Sequence, residues 1–200
     1  FQLEDDRLAV LVGDASGKGM PAAMFILTAR TLLRSSMTRG VPVEQAVALT
    51  NDALAVDNEQ MMFATIFAAT VDLRNGELVF CNAGHNPPFI RRTDGRIDRI
   101  SATGGMALGV MGEVAYRATR DTLGPGDTFL LYSDGVTEAM DAQNALFEEE
   151  RLVATLGAHG DATPEQLIQG MFAAIDGFAG AAEQADDITL LALRYRGPQQ

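Results

Sequence analysis

Acidic residues stand at the ends of three apolar runs in this sequence. Asp14 and Asp134 each follow one of these runs, and the pair Asp186-Asp187 comes directly before the third. If the runs are neighbouring strands, the acidic positions meet at one edge of a sheet. Carboxylates brought together repel one another unless a cation compensates their charge. The pattern therefore predicts a divalent-metal site.

The kind of metal follows from the ligands that the sequence offers. Carboxylate oxygens, main-chain carbonyls and waters are the usual ligands of Mg²⁺ and Mn²⁺. Zinc is disfavoured, because its usual ligands are scarce in a chain with two histidines and one cysteine. A metal held by oxygen alone favours phosphate chemistry, in which the metal activates a bound water and no side-chain nucleophile is needed.

Each acidic position also has an ordinary structural interpretation. Asp14 alone is about equally well explained as a turn former or helix cap. The triplet Ser133-Asp134-Gly135 alone is typical of a turn, and Asp186-Asp187 alone is typical of a solvated strand entry. The metal hypothesis therefore depends on the combination and not on any one residue.

Composition restricts the kind of protein. The chain has 200 residues, of which 47% are hydrophobic and 21% charged, as expected for one globular domain over residues 1–200. Its net charge is −12, and the second half alone carries 15 acids against 5 bases. Nucleic acid is therefore an unfavourable ligand, because binding to phosphates requires positive charge.

Cysteine content and hydropathy bear on the compartment. The lone cysteine, Cys81, lies in an apolar stretch, which predicts a buried thiol in a reducing, cytoplasmic environment. The apolar runs are much shorter than the roughly 20 residues of a membrane helix, and the first residues do not show the pattern of a basic segment followed by an apolar one. We therefore expect no membrane insertion by this segment.

Periodicity predicts the elements that position the acidic residues. Met20, Met24 and Leu27 recur at the spacing of one helix face that runs to about Arg39, and Met61, Met62 and Met171 are likewise expected in the core. A second helix is indicated from Pro42 to near residue 57. Two more helices are expected at 148–156 and after the capping-box pattern of residues 163–166, and the final strand at 188–195.

The middle of the chain is rich in strands. Asn75-Gly76 predicts a two-residue hairpin turn between strands at 62–73 and 77–83, and Asp94-Gly95 predicts a second hairpin. Two further strands are expected at 113–122 and 127–133. The order of strand, two helices, several strands, two helices and strand favours the α+β class, with antiparallel sheets covered by helices.

Four motifs carry a resemblance to a known family. In chain order they are Val12-Gly13-Asp14-Ala15-Ser16-Gly17-Lys18-Gly19, Asn82-Ala83-Gly84-His85-Asn86-Pro87-Pro88, Tyr132-Ser133-Asp134-Gly135-Val136-Thr137-Glu138 and Ala185-Asp186-Asp187-Ile188-Thr189-Leu190. From about Leu8 to Arg194, the chain resembles the metal-dependent type 2C serine/threonine protein phosphatases. Within them it resembles the bacterial branch typified by stage II sporulation protein E and the stress-response sigma-factor regulators.

The resemblance implies a fold, a cofactor and a set of ligands. It implies a four-layer α-β-β-α sandwich of two antiparallel sheets, and two Mn²⁺ or Mg²⁺ ions bridged by a water that attacks phosphoserine or phosphothreonine. Asp14 matches the bridging metal ligand, and Ala15 matches a position whose main-chain carbonyl binds metal. Asp134 matches a further ligand. Asp186 aligns with the last ligand and Asp187 with its neighbour.

Two residues are candidates for contact with substrate. Lys18 matches a position where some members of the family carry a proposed general acid, and it is as well explained as a solvent-exposed lysine at a helix start. His85 is a candidate for substrate binding, although a hydrogen-bonding role that shapes its loop is favoured for a lone histidine.

The resemblance also implies a partner and a parent protein. In this branch the substrate is typically a phosphorylated anti-sigma-factor antagonist, and a sensor domain can precede the phosphatase in the same chain. Residues 1–7 are interpreted as the end of a hairpin whose first strand is mostly missing, so we expect a segment of a longer regulatory protein. The family carries another metal-binding Asp on that strand. Its absence supports a second hypothesis, a catalytically inactive phosphatase-like module that binds a partner regulator.

Overall fold

Two four-stranded antiparallel sheets and five helices make up the part of the chain that the computed structural model describes, residues 1–56, 58–100 and 105–198. The elements are β1 (Arg7–Ala15), α1 (Met20–Thr38), α2 (Val43–Ala55), β2 (Ala64–Asp72), β3 (Glu77–Ala83), β4 (Phe89–Arg91), β5 (Ile97–Arg99), β6 (Thr119–Thr122), β7 (Thr128–Tyr132), α3 (Asp134–Thr137), α4 (Glu148–Ala158), α5 (Pro164–Ala179) and β8 (Leu190–Arg194). The predicted α+β class, with antiparallel sheets flanked by helices, is confirmed.

The elements belong to two units. The first unit comprises Phe1–Pro87, Ser101–Thr122 and Pro198–Gln200, and the second comprises Pro88–Ile100 and Leu123–Gly197. None of the helices among the described residues is both long enough and apolar enough to cross a membrane. The single-domain interpretation of residues 1–200 stays a prediction.

The first unit is a sheet with strand order β1-β2-β3-β6, and α1 and α2 cover one of its faces. The two helices contribute side chains to one apolar cluster with the strands. From the helices come Ala29, Leu33, Met37, Val43, Ala46, Val47 and Leu54, and from the strands come Ala9, Ile66, Ala68, Cys81 and Ala83. Cys81 is buried as predicted, and burial raises the pKa of its thiol to about 12.

The face of α1 predicted to be buried is the wrong one. Met20, Met24 and Leu27 are 72%, 62% and 57% exposed, and the buried side chains of α1 are Ala22, Ala29, Leu33 and Met37. Met61 is also exposed, whereas Met171 is in the core as expected. Both faces of α1 carry apolar residues at helical spacing, and alanines on the buried face let the helix lie close to strands that are themselves rich in alanine.

Both predicted hairpins of the middle region exist. β4 and β5 pair antiparallel around Asp94-Gly95, as expected. β2 and β3 also pair, but residues 73–76 form a four-residue loop, and Gly76 takes a positive φ of 77° while Asn75 does not. Asp72 explains the longer loop, because its carboxylate accepts hydrogen bonds from the main chain and side chain of Arg74.

The turn at Asp72 predicts an acid-sensitive contribution to stability. The Arg74 guanidinium donates a hydrogen bond of 2.6 Å to the Asp72 carboxylate, and this bond lowers the pKa of Asp72 to about 2. In an unfolded chain the pKa of an Asp is about 3.9. A carboxylate with a lowered pKa stabilises the fold above its unfolded pKa and loses that contribution as the pH falls towards about 2. Urea unfolding of Asp72→Asn should show lower stability than the unmodified chain at neutral pH, with the difference shrinking below about pH 4. An equal difference at both pH values would contradict the assignment.

The second unit is a sheet with strand order β5-β4-β7-β8, and α4 and α5 pack on it. All five residues of β7 are buried, because this strand is central in the sheet. The predicted capping box of α5 is confirmed: the Thr163 hydroxyl accepts from the Gln166 main chain, and the Gln166 side chain accepts from the Thr163 main chain. This helix supplies Leu167, Met171 and Ile175 to the core.

Candidate active site

Asp14 lies near the end of β1 in the first unit. β1 pairs with β2 from Arg7↔Asp72 to Ala15↔Ala64, so Asp14 is directly opposite Thr65. Side chains alternate between the faces of a strand, and Ala9 belongs to the cluster under α1 and α2. Asp14 therefore projects from the face that does not carry these helices, and its side chain is half-buried.

The segment after Asp14 leads from the strand into α1 through an exposed turn. Ser16 and Phe63 hold its start, because the main-chain N–H of Ser16 donates to the Phe63 carbonyl and the Phe63 N–H donates to Ser16 Oγ. Gly17 and Gly19 both have positive φ, 86° and 77°, which favours glycine on either side of Lys18. Lys18 is exposed at this turn.

His85 lies in the first unit, in the loop after β3. The Asn82 side chain closes this loop, because its Nδ2 donates to the His85 carbonyl over 2.8 Å and its Oδ1 accepts from the His85 N–H over 2.7 Å. The His85 side chain is buried, and its Nδ1 lies 2.9 Å from Thr65 Oγ1. These contacts favour the loop-shaping role of His85 over direct contact with a substrate.

In the second unit, β7 and β8 bring Asp134 close to the Asp186-Asp187 pair. The strands are neighbours and end with the pairing Tyr132↔Leu190, so Asp134 follows β7 at the same end at which the acidic pair precedes β8. The predicted convergence at one sheet edge is confirmed for these two segments, because β7 and β8 are neighbours, but it is wrong for Asp14, because β1 belongs to the other sheet and pairs with neither strand. Asp134 begins the short helix α3 and is half-buried, whereas Asp186 and Asp187 are exposed.

Ser133 fastens the two segments to each other. Its hydroxyl donates to the Asp187 carbonyl over 3.1 Å and accepts from the Thr189 N–H over 2.9 Å, and its N–H donates to the Thr189 carbonyl over 3.0 Å. Ser133 is buried, so these bonds are shielded from water. The sequence motif contains Ser133, but its role is absent from the predictions because its partners lie more than 50 residues away.

Gly135 allows the close approach of the same segments. A Cβ at this position would lie 2.3 Å from the Asp187 carbonyl oxygen, which is closer than non-bonded atoms approach. Only glycine therefore fits here without a shift of the main chain. Next to it, Asp134 Oδ1 accepts from the Gly135 N–H over 2.9 Å.

The acidic pair has local contacts that distinguish its members. Asp186 Oδ1 accepts from the Asp187 N–H over 2.8 Å, and the Gln184 side chain donates to the Asp186 carbonyl. The Asp187 carbonyl is occupied by Ser133. Across the described ranges, no three His, Cys, Asp or Glu side chains are grouped closely enough to hold a metal ion. The metal-ligand roles of Asp14, Ala15, Asp134, Asp186 and Asp187 therefore stay predictions.

Comparison with known proteins identifies the family. Residues 4–196 match the family described as Stage II sporulation protein E (SpoIIE). The chain belongs to the SpoIIE family. The predicted branch, the SpoIIE-like group of the type 2C phosphatases, is thereby confirmed.

Two relatives of this SpoIIE-family chain show how much of a longer protein it spans. The chain is 35% identical to Protein IcfG of Synechocystis sp., over 98% of this chain and 35% of that protein. It is 25% identical to the phosphoserine phosphatase RsbU of Bacillus subtilis, over 98% of this chain and 58% of that protein. It thus spans about a third of the first relative and somewhat more than half of the second.

A solved structure extends the similarity of this SpoIIE-family chain to three dimensions. The crystal structure of the RsbU and RsbW domains of Rv1364c from Mycobacterium tuberculosis matches with a TM-score of 0.85 and 27% identity. The match covers 98% of this chain and 54% of that one. The fold described above is therefore shared with this solved structure.

Proposed function

We propose that this SpoIIE-family chain hydrolyses phosphoserine or phosphothreonine on a protein. The main supporting observation is that Asp134, at the end of β7, lies next to Asp186-Asp187, before the start of β8. Ser133 bonds to the Asp187 carbonyl, and Gly135 allows the two segments to approach closely. The name of the relative RsbU, a phosphoserine phosphatase, supports the reaction type.

In this proposal, Asp14, Asp134 and Asp186 are ligands of two Mn²⁺ or Mg²⁺ ions. The Ala15 main-chain carbonyl is a further ligand, and Asp187 is the alternative to Asp186. The fit rests on the donors, because carboxylate and carbonyl oxygens are what these ions prefer. When bound, such ions would polarise phosphoryl oxygens and lower the pKa of a bound water, so that hydrolysis would need no side-chain nucleophile.

Two further residues have proposed roles near the substrate. Lys18 is proposed to contact the phosphate of the substrate, since it is exposed in the turn that follows Asp14 and Ala15. His85 is proposed to shape the loop that follows β3 and not to touch the substrate, because it is buried.

The proposed substrate is a phosphorylated bacterial regulator of the anti-sigma-factor-antagonist type. The supporting observations are the sigma-factor-regulator branch of the resemblance and the similarity to RsbU. We place the reaction in the cytoplasm, consistent with a single, buried, unpaired cysteine. A sensor domain preceding this segment in the parent protein is part of the same proposal.

A phosphatase assay tests the proposal. The purified chain should release phosphate from p-nitrophenyl phosphate and from a serine-phosphorylated antagonist in the presence of Mn²⁺, and EDTA should stop both reactions. A chain that binds the phosphorylated antagonist with Mn²⁺ present but releases no phosphate would instead support the inactive binding module.

A further inference from the structure

A hydrogen bond joins the buried His85 to β2 in the first unit. His85 is 5% exposed, and its Nδ1 lies 2.9 Å from Thr65 Oγ1. The two Asn82 bonds to the His85 main chain hold the loop from which the ring extends. The Thr65 hydroxyl is therefore held by a side chain that itself has little freedom to move.

Thr65 is the cross-strand neighbour of Asp14. Residues directly opposite on antiparallel strands share a face, with Cβ atoms about 5 Å apart. The next pair, Ala15↔Ala64, is also fixed, because Ala64 exchanges two main-chain hydrogen bonds with Leu108, of 3.0 and 2.8 Å. The start of β2 is thus a rigid support beside the proposed metal ligands.

The protonated nitrogen of His85 decides whether the Thr65 hydroxyl is able to donate a hydrogen bond to a third group. A threonine hydroxyl has one proton to donate and can accept from other donors. If His85 carries its proton on Nδ1, the ring donates to Thr65 Oγ1, and the Thr65 hydroxyl can donate its own proton to another acceptor. If His85 carries its proton on Nε2, the Thr65 hydroxyl must donate its only proton to His85 Nδ1.

We propose that His85 is a positioning residue of the Nδ1–H form, which donates to Thr65 so that the Thr65 hydroxyl donates to the Asp14 carboxylate. The hydrogen bond to Thr65 fixes the orientation in which Asp14 offers its oxygens to the metal ions. Partners of metal ligands commonly act in this way, and their loss lowers metal affinity or activity by about 10-fold to 100-fold. The inference rests on the proposed function, because it assigns Asp14 as a ligand.

The protonated nitrogen of His85 can be measured without metal or activity. The chain has two histidines, and His159 Nδ1 lies 2.9 Å from the Thr155 carbonyl oxygen, which can only accept. His159 is therefore an internal reference for the Nδ1–H form, and a His159→Gln variant assigns the two signals. Nitrogen-15 NMR of the metal-free chain at alkaline pH should show Nδ1–H for His85 as well. A His85 ring protonated on Nε2 would overturn the proposal.

Metal binding supplies the second test. Calorimetric titration should show Mn²⁺ affinity reduced by about tenfold in Thr65→Val and in His85→Gln, with kcat for p-nitrophenyl phosphate lowered more than KM is raised. Thr65→Ser keeps the hydroxyl and should keep the affinity, and His159→Gln is the matched control that should change neither quantity.

The outcomes separate the two proposals. Unchanged Mn²⁺ affinity in a folded Thr65→Val, or a Thr65→Ser that is impaired as much as Thr65→Val, would overturn the positioning role while leaving the phosphatase function intact. A wild-type chain that neither binds Mn²⁺ nor releases phosphate would refute the function, and the NMR measurement would still decide the proton position.

Discussion

Replacement of Asp134 by asparagine should reduce Mn²⁺-dependent phosphate release by more than about 100-fold, because a proposed metal ligand is lost and not merely a residue that supports one. The amide keeps the shape of the side chain, so the contact of Oδ1 with the Gly135 N–H can persist. Stability should not fall in the metal-free chain, since the change removes a negative charge near Asp186-Asp187. Phosphate release and thermal unfolding, each with and without Mn²⁺, measure both parts.

Asp161→Asn is the matched control for this variant. Asp161 is exposed in the same unit, in the turn between α4 and α5, and has no place in the proposed site. The same change of charge there should leave activity within about twofold, as expected for a surface substitution. An Asp134→Asn variant with wild-type rates would refute the assignment of Asp134 as a ligand.

Replacement of Gly135 by alanine should disturb the site through the main chain. The added Cβ would lie 2.3 Å from the Asp187 carbonyl oxygen and 2.9 Å from its carbonyl carbon, so Asp134 and the acidic pair must move apart. We expect the free energy of unfolding to fall by about 1–3 kcal/mol, as for other overpacked positions. Activity should fall by about 100-fold, because a displacement of about 1 Å is enough to misplace reacting groups. Urea unfolding and the Mn²⁺-dependent rate measure the two effects.

Gly177→Ala is the matched control for Gly135→Ala. Gly177 lies in α5 of the same unit, and a Cβ there would meet no atom within 4 Å. Alanine is favoured over glycine in a helix by up to about 1 kcal/mol, so this variant should be at least as stable as the unmodified chain. If Gly135→Ala were as stable and as active as Gly177→Ala, the close approach of the Asp134 and Asp187 segments would not be needed for function.

Much of the candidate site was predictable from short stretches of sequence. The motifs around Asp14, Asp134 and Asp186 identify the family, and the apolar runs beside them predict the strands on which they lie. The contacts made by Ser133 and Thr65 were not predictable. Ser133 bonds to residues 54 and 56 positions away, and Thr65 bonds to His85 across 20 positions, so neither contact leaves a local pattern.

The fold shows the same division. The sequence by itself determined the order and type of the longer elements, though not the short helix α3, and also the capping box of α5, because periodicity, turn residues and caps act over a few neighbours. The tertiary structure decided which face of α1 is buried, how long the loop after Asp72 is, and which side chain fastens the Asp134 segment to the Asp187 segment. These depend on which surfaces meet in three dimensions: α1 packs on the sheet through Ala29, Leu33 and Met37, and its opposite face, with Met20 and Met24, stays exposed.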